Sequence, residues 1–121
     1  MLDTRTGGVT VDGVSAGGGP IGPGATRTLQ VTGRGGVPAS GVGAVVLNIT
    51  AVAPTTGGFL TIHPTGTTRP NASNLNFTPG QTIPNLVIAK IGTGGQISIY
   101  NDTGTTHVIA DIAGWFPIPP A

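Results

Sequence analysis

The spacing of the glycines constrains the fold of this chain more than any other feature. The 22 glycines keep most uninterrupted windows near or below the length of the shortest stable helix, roughly 12 residues. No segment places apolar residues at the i, i+3, i+4, i+7 spacing of an amphipathic helix. Val, Ile and Leu instead form short clusters between glycines, and the hydrophobic fraction of 37% separates the chain from disordered Gly-rich sequences. This pattern predicts many short strands joined by turns, with near-zero helix.

Two segments have the clearest strand patterns. Residues 26–33 (TRTLQVTG) alternate, which places Leu29 and Val31 on one face of a half-buried strand. Residues 41–54 (GVGAVVLNITAVAP) are apolar on both faces and rich in β-branched side chains, so we expect a long central strand. Further strands are predicted at 57–66, 71–77, 85–92, 95–101 and 106–116.

The turns between these strands predict how the strands connect. The turn PTTGG at 54–58 indicates either a hairpin or a corner at which the chain crosses between sheets. The turns GTGG at 92–95 and DTG at 102–104 contain the glycine that tight turns require. We therefore expect the last three strands to form consecutive antiparallel hairpins. Within NASNLNF, alternation places Leu75 and Phe77 inward.

The number of strands predicts the fold class. Seven to nine strands in a chain of 121 residues indicate an all-β, single-domain antiparallel β-sandwich, and the spacing leaves open whether it is Ig-like or a jelly roll. Residues 6–25 are expected to form a short edge strand and a long loop. We expect the domain to span 1–116, because the sequence PIPPA at 117–121 favours an extended Pro-rich tail outside the sheet.

The low charge excludes several kinds of partner. Five Lys and Arg residues and four Asp residues give a net charge of +1, and their dispersed positions argue against nucleic-acid binding. Weak charge repulsion also favours self-association. The chain has no cysteine, no apolar run near the ~20 residues of a membrane span and no signal peptide as given, so we expect neither disulfides nor membrane insertion.

The titratable residues do not form a recognisable catalytic group. His107 and Asp111 would share one face of a strand, but their Cα atoms would be about 13 Å apart, too far for a base and its orienting carboxylate. Asp3 and Asp111 are expected to form structural ion pairs with Arg5 or Arg34. We therefore predict no enzymatic activity. A hydrolase that uses Asp111 is the catalytic alternative.

The sequence also predicts no metal and no cofactor. His63 and His107 lack a neighbouring ligand at metal-binding spacing. Asn101 and Asp102 could donate oxygen atoms to a cation, but the same residue types are typical of a tight turn.

Two asparagines and two aromatic residues are candidates for ligand binding. The amides of Asn74 and Asn76 suit sugar hydroxyls, and Tyr100 or Trp115 could provide a stacking surface. The alternative is that these asparagines form hydrogen bonds with loop backbone, as polar side chains in Gly-rich β proteins often do.

Five blocks of sequence, in this order, resemble a β-sandwich module of actinobacterial secreted and cell-surface proteins that also occurs in virion proteins of their phages. The blocks are LDTR (2–5), GRGGVPASGVGAVVLNITA (33–51), GFLTIHPTG (58–66), RPNASNLNFTPGQTIPN (69–85) and HVIADIAGWF (107–116).

This resemblance implies a non-catalytic module that attaches to, or is displayed on, an extracellular surface. The surface would be that of a virion, as a head-decoration or tail-associated protein, or that of a bacterial cell envelope. A virion protein that is assembled in the cytoplasm and released by lysis would need no signal peptide. Its expected partners are further copies of itself or a larger surface assembly, with possible glycan contact. The alternative is a carbohydrate-binding module of a secreted actinobacterial hydrolase.

Overall fold

The chain is all-β, as predicted, in a computed structural model that describes residues 1–119. A 3-10 turn at Thr93–Gly95 is the only helical element in this range. The eight strands are β1 (Leu2–Asp3), β2 (Thr26–Gln30), β3 (Val42–Val52), β4 (Gly58–Pro64), β5 (Leu75–Phe77), β6 (Thr82–Lys90), β7 (Gln96–Asn101) and β8 (His107–Pro117).

The strands form two four-stranded sheets that pack as a β-sandwich. Sheet 1 has the order β1-β8-β3-β6 and sheet 2 the order β2-β7-β4-β5, and every ladder between named strands is antiparallel. Eight strands in this arrangement form a jelly roll rather than an Ig-like sandwich of seven or nine strands. The strand order thus selects between the two topologies that the sequence left open.

Strand β3 is the central strand of sheet 1, as its apolar sequence predicts. It pairs with β6 on one side and with β8 on the other along almost its whole length. Its inward residues Val45, Leu47 and Ile49 are fully buried. They contribute to one apolar core with inward residues of sheet 2 such as Leu29 and Ile97. Leu75 and Phe77 are also buried, as the alternation in β5 predicts.

The prediction of consecutive hairpins over the last three strands is wrong. Strands β6 and β8 lie in sheet 1, where they flank β3, and β7 lies in sheet 2 between β2 and β4. The glycines of the two turns do adopt positive φ at Gly94, Gly95 and Gly104, so the local turn chemistry was assigned correctly. The same turns allow the chain to cross between sheets, because a glycine turn reverses the chain without fixing which strand it pairs with.

Several predicted boundaries shift. Strand β2 ends at Gln30 rather than at residue 33, and β5 begins at Leu75 rather than at residue 71. Strand β6 begins at Thr82 rather than at residue 85, since an edge strand tolerates the missing N–H of Pro84. Strand β8 includes Pro117, and the N–H of Ile118 donates to the Gly41 carbonyl, so the sheet extends past the expected boundary at 116. The end of the predicted tail, residues 120–121, lies outside the described residues.

Arg34 holds the long N-terminal loop against the sandwich. Its guanidinium donates to both carboxylate oxygens of Asp12, at 2.7 and 2.9 Å. It also donates to the carbonyls of Met1, Val14 and Gln30 at 2.8 to 2.9 Å, and its side chain is only 8% exposed. The hydrogen bond from Arg34 is the main reason that the pKa of Asp12 lies well below its ordinary value. Arg34 therefore pairs with Asp12, not with Asp3 or Asp111 as expected.

Arg5 pairs with Asp3, which is one of the expected ion pairs. Two hydrogen bonds of 2.8 and 2.9 Å join the guanidinium to the carboxylate. The N–H groups of Arg5 and Val9 also donate to this buried carboxylate. These donors, led by the Arg5 side chain, outweigh desolvation and lower the pKa of Asp3 to about 2.

Asp111 was wrongly expected to take part in a structural ion pair. It forms none with residues 1–119, and its side chain is exposed. The reason is its position opposite Asn48 on the outer face of sheet 1.

Replacing Arg34 should destabilise the fold more than replacing a half-buried arginine with fewer hydrogen bonds. Arg34→Ala removes the donor of two hydrogen bonds to Asp12 and of three to backbone carbonyls, and we expect a loss of about 2–4 kcal/mol in the free energy of unfolding. The control is Arg27→Ala, since Arg27 reaches only the carbonyls of Gly18 and Gly19, at 3.4 and 3.2 Å. Urea denaturation measures the unfolding free energy of both variants. Equal decreases for Arg34→Ala and Arg27→Ala would contradict the conclusion that Arg34 holds the N-terminal loop.

The low pKa of Asp3 predicts a loss of stability in acid. The folded pKa lies below the unfolded value of about 3.9, so the stabilisation is complete above pH ~4 and disappears as the pH falls towards 2. We expect its contribution to be about 2 kcal/mol at neutral pH. The difference in unfolding free energy between wild type and Asp3→Asn should therefore shrink over this range. A difference that stays constant from pH 5 to pH 2 would contradict the assignment.

Candidate functional site

The outer face of sheet 2 is largely covered by the chain itself. By register, Tyr100, Thr61 and Ser98 point away from the core, yet all three are buried. The covering segment is residues 65–74, which join β4 to β5. The Thr61 hydroxyl donates to the Ala72 carbonyl at 2.6 Å, and the hydroxyls of Thr65 and Ser98 are 2.9 Å apart.

Tyr100 is covered by an arginine from the same segment. The Arg69 guanidinium carbon lies 3.7 Å from the centroid of the Tyr100 ring, which is cation–π geometry. Phe59 lies on the same face with its ring centroid 6.5 Å away. Because Tyr100 is only 9% exposed, it offers little open ring surface for stacking on a ligand.

Asn74 has a structural role. Its N–H donates to the Leu60 carbonyl at 2.8 Å, and its side-chain oxygen accepts the Ile62 N–H at 2.7 Å. These bonds continue the β4–β5 ladder by one residue before the first residue of β5. The side-chain amide of Asn85 also donates to the Asn74 carbonyl. The alternative in which the asparagines bind loop backbone therefore describes Asn74.

The four ligand candidates do not form one site. Asn76 is exposed opposite Phe59 on the outer face of sheet 2, the same face as Tyr100. Trp115 lies in β8 of sheet 1, paired with Val45, and is 41% exposed. The core of the sandwich separates Trp115 from the outer face of sheet 2.

The outer face of sheet 1 differs from that of sheet 2 because no other segment of residues 1–119 covers its centre. The register places three outward residues from each of three strands in a three-by-three grid, which we call the apolar face. Its rows are Lys90–Ala44–Phe116, Ile88–Val46–Gly114 and Leu86–Asn48–Asp111.

The apolar face exposes large hydrophobic side chains to solvent. Leu86 is 60% exposed, Ile88 64% and Phe116 51%. Leu86 and Ile88 are neighbours on β6, and the half-buried Val46 and Ala44 connect them to Phe116 on β8. A single exposed hydrophobic residue is ordinary, but a connected group forms a patch of the kind that marks an interaction site. Lys90 and Asp111 are the only charged residues of the grid, and they occupy opposite corners.

Two clefts adjoin this face. One, of about 330 Å³, lies at the end of the grid that holds Ala44 and Phe116, and its other walls include Gly43 and Pro119. The second, of about 340 Å³, opens between β4 and β6, with walls that include His63, Thr67, Thr68, Ile88 and Lys90. Lys90 borders both clefts.

The histidines and Asn101 form hydrogen bonds within the fold. Nδ1 of His107 lies 2.9 Å from the hydroxyl of the fully buried Thr4, which also accepts the Val108 N–H. Nδ1 of His63 lies 3.1 Å from the Pro64 carbonyl.

The amide of Asn101 donates to the carbonyls of Ile21 and Gly104, as a turn-forming residue does. No group of three or more His, Cys, Asp or Glu side chains suited to a metal occurs within the described residues.

Comparison of the chain with family models, with curated proteins and with solved structures found no match. In the part of the chain that the structure describes, no helix has the length and apolar character needed to cross a membrane.

Sequence reasoning missed the apolar face, although its signal was present. Residues 41–54 are apolar on both faces, and only one face of β3 packs against sheet 2. In β6, Leu86 and Ile88 alternate with the buried Val87 and Ala89. Both faces of this edge strand are thus apolar, and the second face is left exposed.

Replacing Asn74 should reduce stability rather than remove a ligand contact. Asn74→Ala leaves the Ile62 N–H without an acceptor, and we expect a loss of about 1–3 kcal/mol in the free energy of unfolding. Asn76→Ala is the matched control, since Asn76 is exposed, and it should change stability by less than about 0.5 kcal/mol. Chemical denaturation of both variants tests this, and a neutral Asn74→Ala would contradict the structural role.

Proposed function

We propose that the chain is a non-catalytic structural module of an extracellular surface, on a virion or a bacterial cell envelope. In this proposal it acts by protein–protein docking through the apolar face. The observation that supports it best is the contrast between the two outer faces of the sandwich. Residues 65–74 close the outer face of sheet 2, whereas the outer face of sheet 1 exposes Leu86, Ile88 and Phe116.

The rigidity of the apolar face also supports docking. Its three strands are joined by continuous ladders, and its inward neighbours Val45 and Leu47 are fully buried. A face held in this way loses little conformational freedom when a partner binds, which favours affinity. Exposed apolar side chains on a fixed sheet are suited to a protein partner rather than to a hydrophilic polymer.

The surface location rests on the five blocks that resemble the actinobacterial and phage module. Jelly rolls occur both in viral capsid proteins and in lectins, so the fold agrees with a surface module by analogy and does not choose between attachment and sugar binding. The alternative, a carbohydrate-binding module, has less support. Arg69 covers Tyr100, Asn74 is used by the backbone, and Trp115 lies in the other sheet.

A binding experiment tests the proposed function. Purified protein is co-sedimented with isolated actinobacterial cell envelopes and with purified virions of a phage that infects such bacteria. We expect saturable binding to at least one preparation. Ile88→Glu should weaken this binding at least about tenfold, because it places a charge at the centre of an apolar contact.

Thr28→Glu is the matched control, since Thr28 is exposed on the outer face of sheet 2. It adds the same charge and should leave binding unchanged. The proposal fails if the wild type binds neither preparation, or if both variants bind equally well.

A further inference from the structure

The apolar face has a self-complementary pattern of charge. Lys90 and Asp111 lie at opposite corners of the grid, on the two strands that flank β3. Lys90 is opposite Ala44 and Asp111 is opposite Asn48, so Val46 lies midway between them. With strands about 4.8 Å apart and about 3.3 Å between residues, the corners lie roughly 16 Å from each other.

We propose that the partner on the apolar face is a second copy of this chain, packed face to face about a two-fold axis. The axis lies in the plane of the interface, passes close to Val46 and runs at a right angle to the line from Lys90 to Asp111. Rotation about it places Lys90 of each copy opposite Asp111 of the other. This inference rests on the proposed function, because it names the partner of the same docking face: on an envelope or virion, that partner would be a copy of this chain displayed there.

Both corner charges are available for such pairing. Neither Lys90 nor Asp111 forms an ion pair within the described residues, and both are exposed. The four arginines are all engaged elsewhere: Arg5 with Asp3, Arg27 with the Gly19 carbonyl, Arg34 with Asp12 and Arg69 with the ring of Tyr100. In an isologous interface the same patch must complement itself. Because Lys90 and Asp111 lie symmetrically about the centre of the patch, the two-fold axis creates two ion pairs between the copies.

The apolar corners fit the same axis. Leu86 and Phe116 lie at the other two corners of the grid, close to the axis, so each would contact its own counterpart. Ile88 of one copy would lie over the region between Val46 and Asn48 of the other. From the strand spacings, the strands of the two copies would cross at about 70°, near the orthogonal class of sheet packing.

The size of the face suits a dimer of moderate affinity. Leu86, Ile88 and Phe116 are each more than half exposed, and burying them would remove roughly 300 Å² of apolar surface per copy from water. This area is smaller than the ~800 Å² per copy of a standard interface, which places the dimer among weak, reversible complexes. We therefore expect a dissociation constant in the micromolar range.

Association through strand edges is a weaker explanation. The longer edge strand of sheet 1 is β6, and it contains Pro84, which has no N–H to donate, whereas the other edge strand, β1, has only two residues. Proline on an edge strand opposes the addition of another strand. The face of the sheet has no such obstacle.

Analytical ultracentrifugation of charge variants, in solution without any envelope or virion, tests the inference. The wild type should dimerise reversibly at micromolar concentrations. K90D places two pairs of carboxylates in contact, and D111K two pairs of ammonium groups, so each should raise the dissociation constant at least about tenfold. The charge-swapped double variant K90D/D111K restores opposite charges and should dimerise within about threefold of wild type.

Mixing the two single variants provides a second readout. Both corners are negative in K90D and both are positive in D111K. The two variants should therefore form a heterodimer with a lower dissociation constant than either homodimer. D102K is the matched control for D111K, since Asp102 follows β7 in sheet 2 and the net charge changes equally. It should dimerise like the wild type, and circular dichroism of all variants should show the same strand signal.

The inference is overturned if the wild type remains monomeric at all accessible concentrations. It is also overturned if the single variants dimerise as the wild type does, or if the double variant fails to recover. A monomer that binds envelopes or virions through Ile88 contradicts the dimer alone, and a dimer that binds neither preparation contradicts the proposed function alone.

Discussion

Strand β3 is apolar on both faces, and the rest of the structure depends on how those two faces are covered. Its inward residues are covered by sheet 2, which forms the single core of the sandwich. Its outward residues are flanked by β6 and β8, and both neighbours add hydrophobic side chains to the same surface. The jelly roll therefore buries one face of β3 against other strands of the same chain. The other face becomes the apolar face, and a second copy is the partner that its charge pattern fits.

The polar side chains mainly serve the backbone of this charge-poor protein. A chain with nine charged residues has few groups with which to hold a long loop against a sandwich. Arg34 does so through three carbonyls and one carboxylate. Asn74, just before β5, and Asn101, the last residue of β7, also bind backbone groups with their side chains. Residue types that suggested a ligand site are thus largely used in the fold, and the surface left for recognition is apolar.

Local patterns predicted most of the strands and the inward residues, because each depends on residues that are close in sequence. The Asp3–Arg5 pair was one of the alternatives that the sequence left open. The assignment of strands to sheets could not be predicted. A glycine turn has the same composition in a hairpin and in a crossing between sheets, so the position of β7 depended on non-local packing. The Arg34–Asp12 pair spans 22 residues, and the separation of Tyr100 from Trp115 follows from the same sheet assignment.

Cross-linking through an introduced cysteine tests most directly whether a second copy covers the apolar face. The chain has no cysteine, so Leu86→Cys and Thr28→Cys each supply a single reactive thiol, near the proposed axis and on the outer face of sheet 2 respectively. We expect a short bis-maleimide reagent to join Leu86→Cys into a covalent dimer in high yield, and to lose that yield when K90D is added. Equal yields from Leu86→Cys and Thr28→Cys, or a yield unaffected by K90D, would contradict the account.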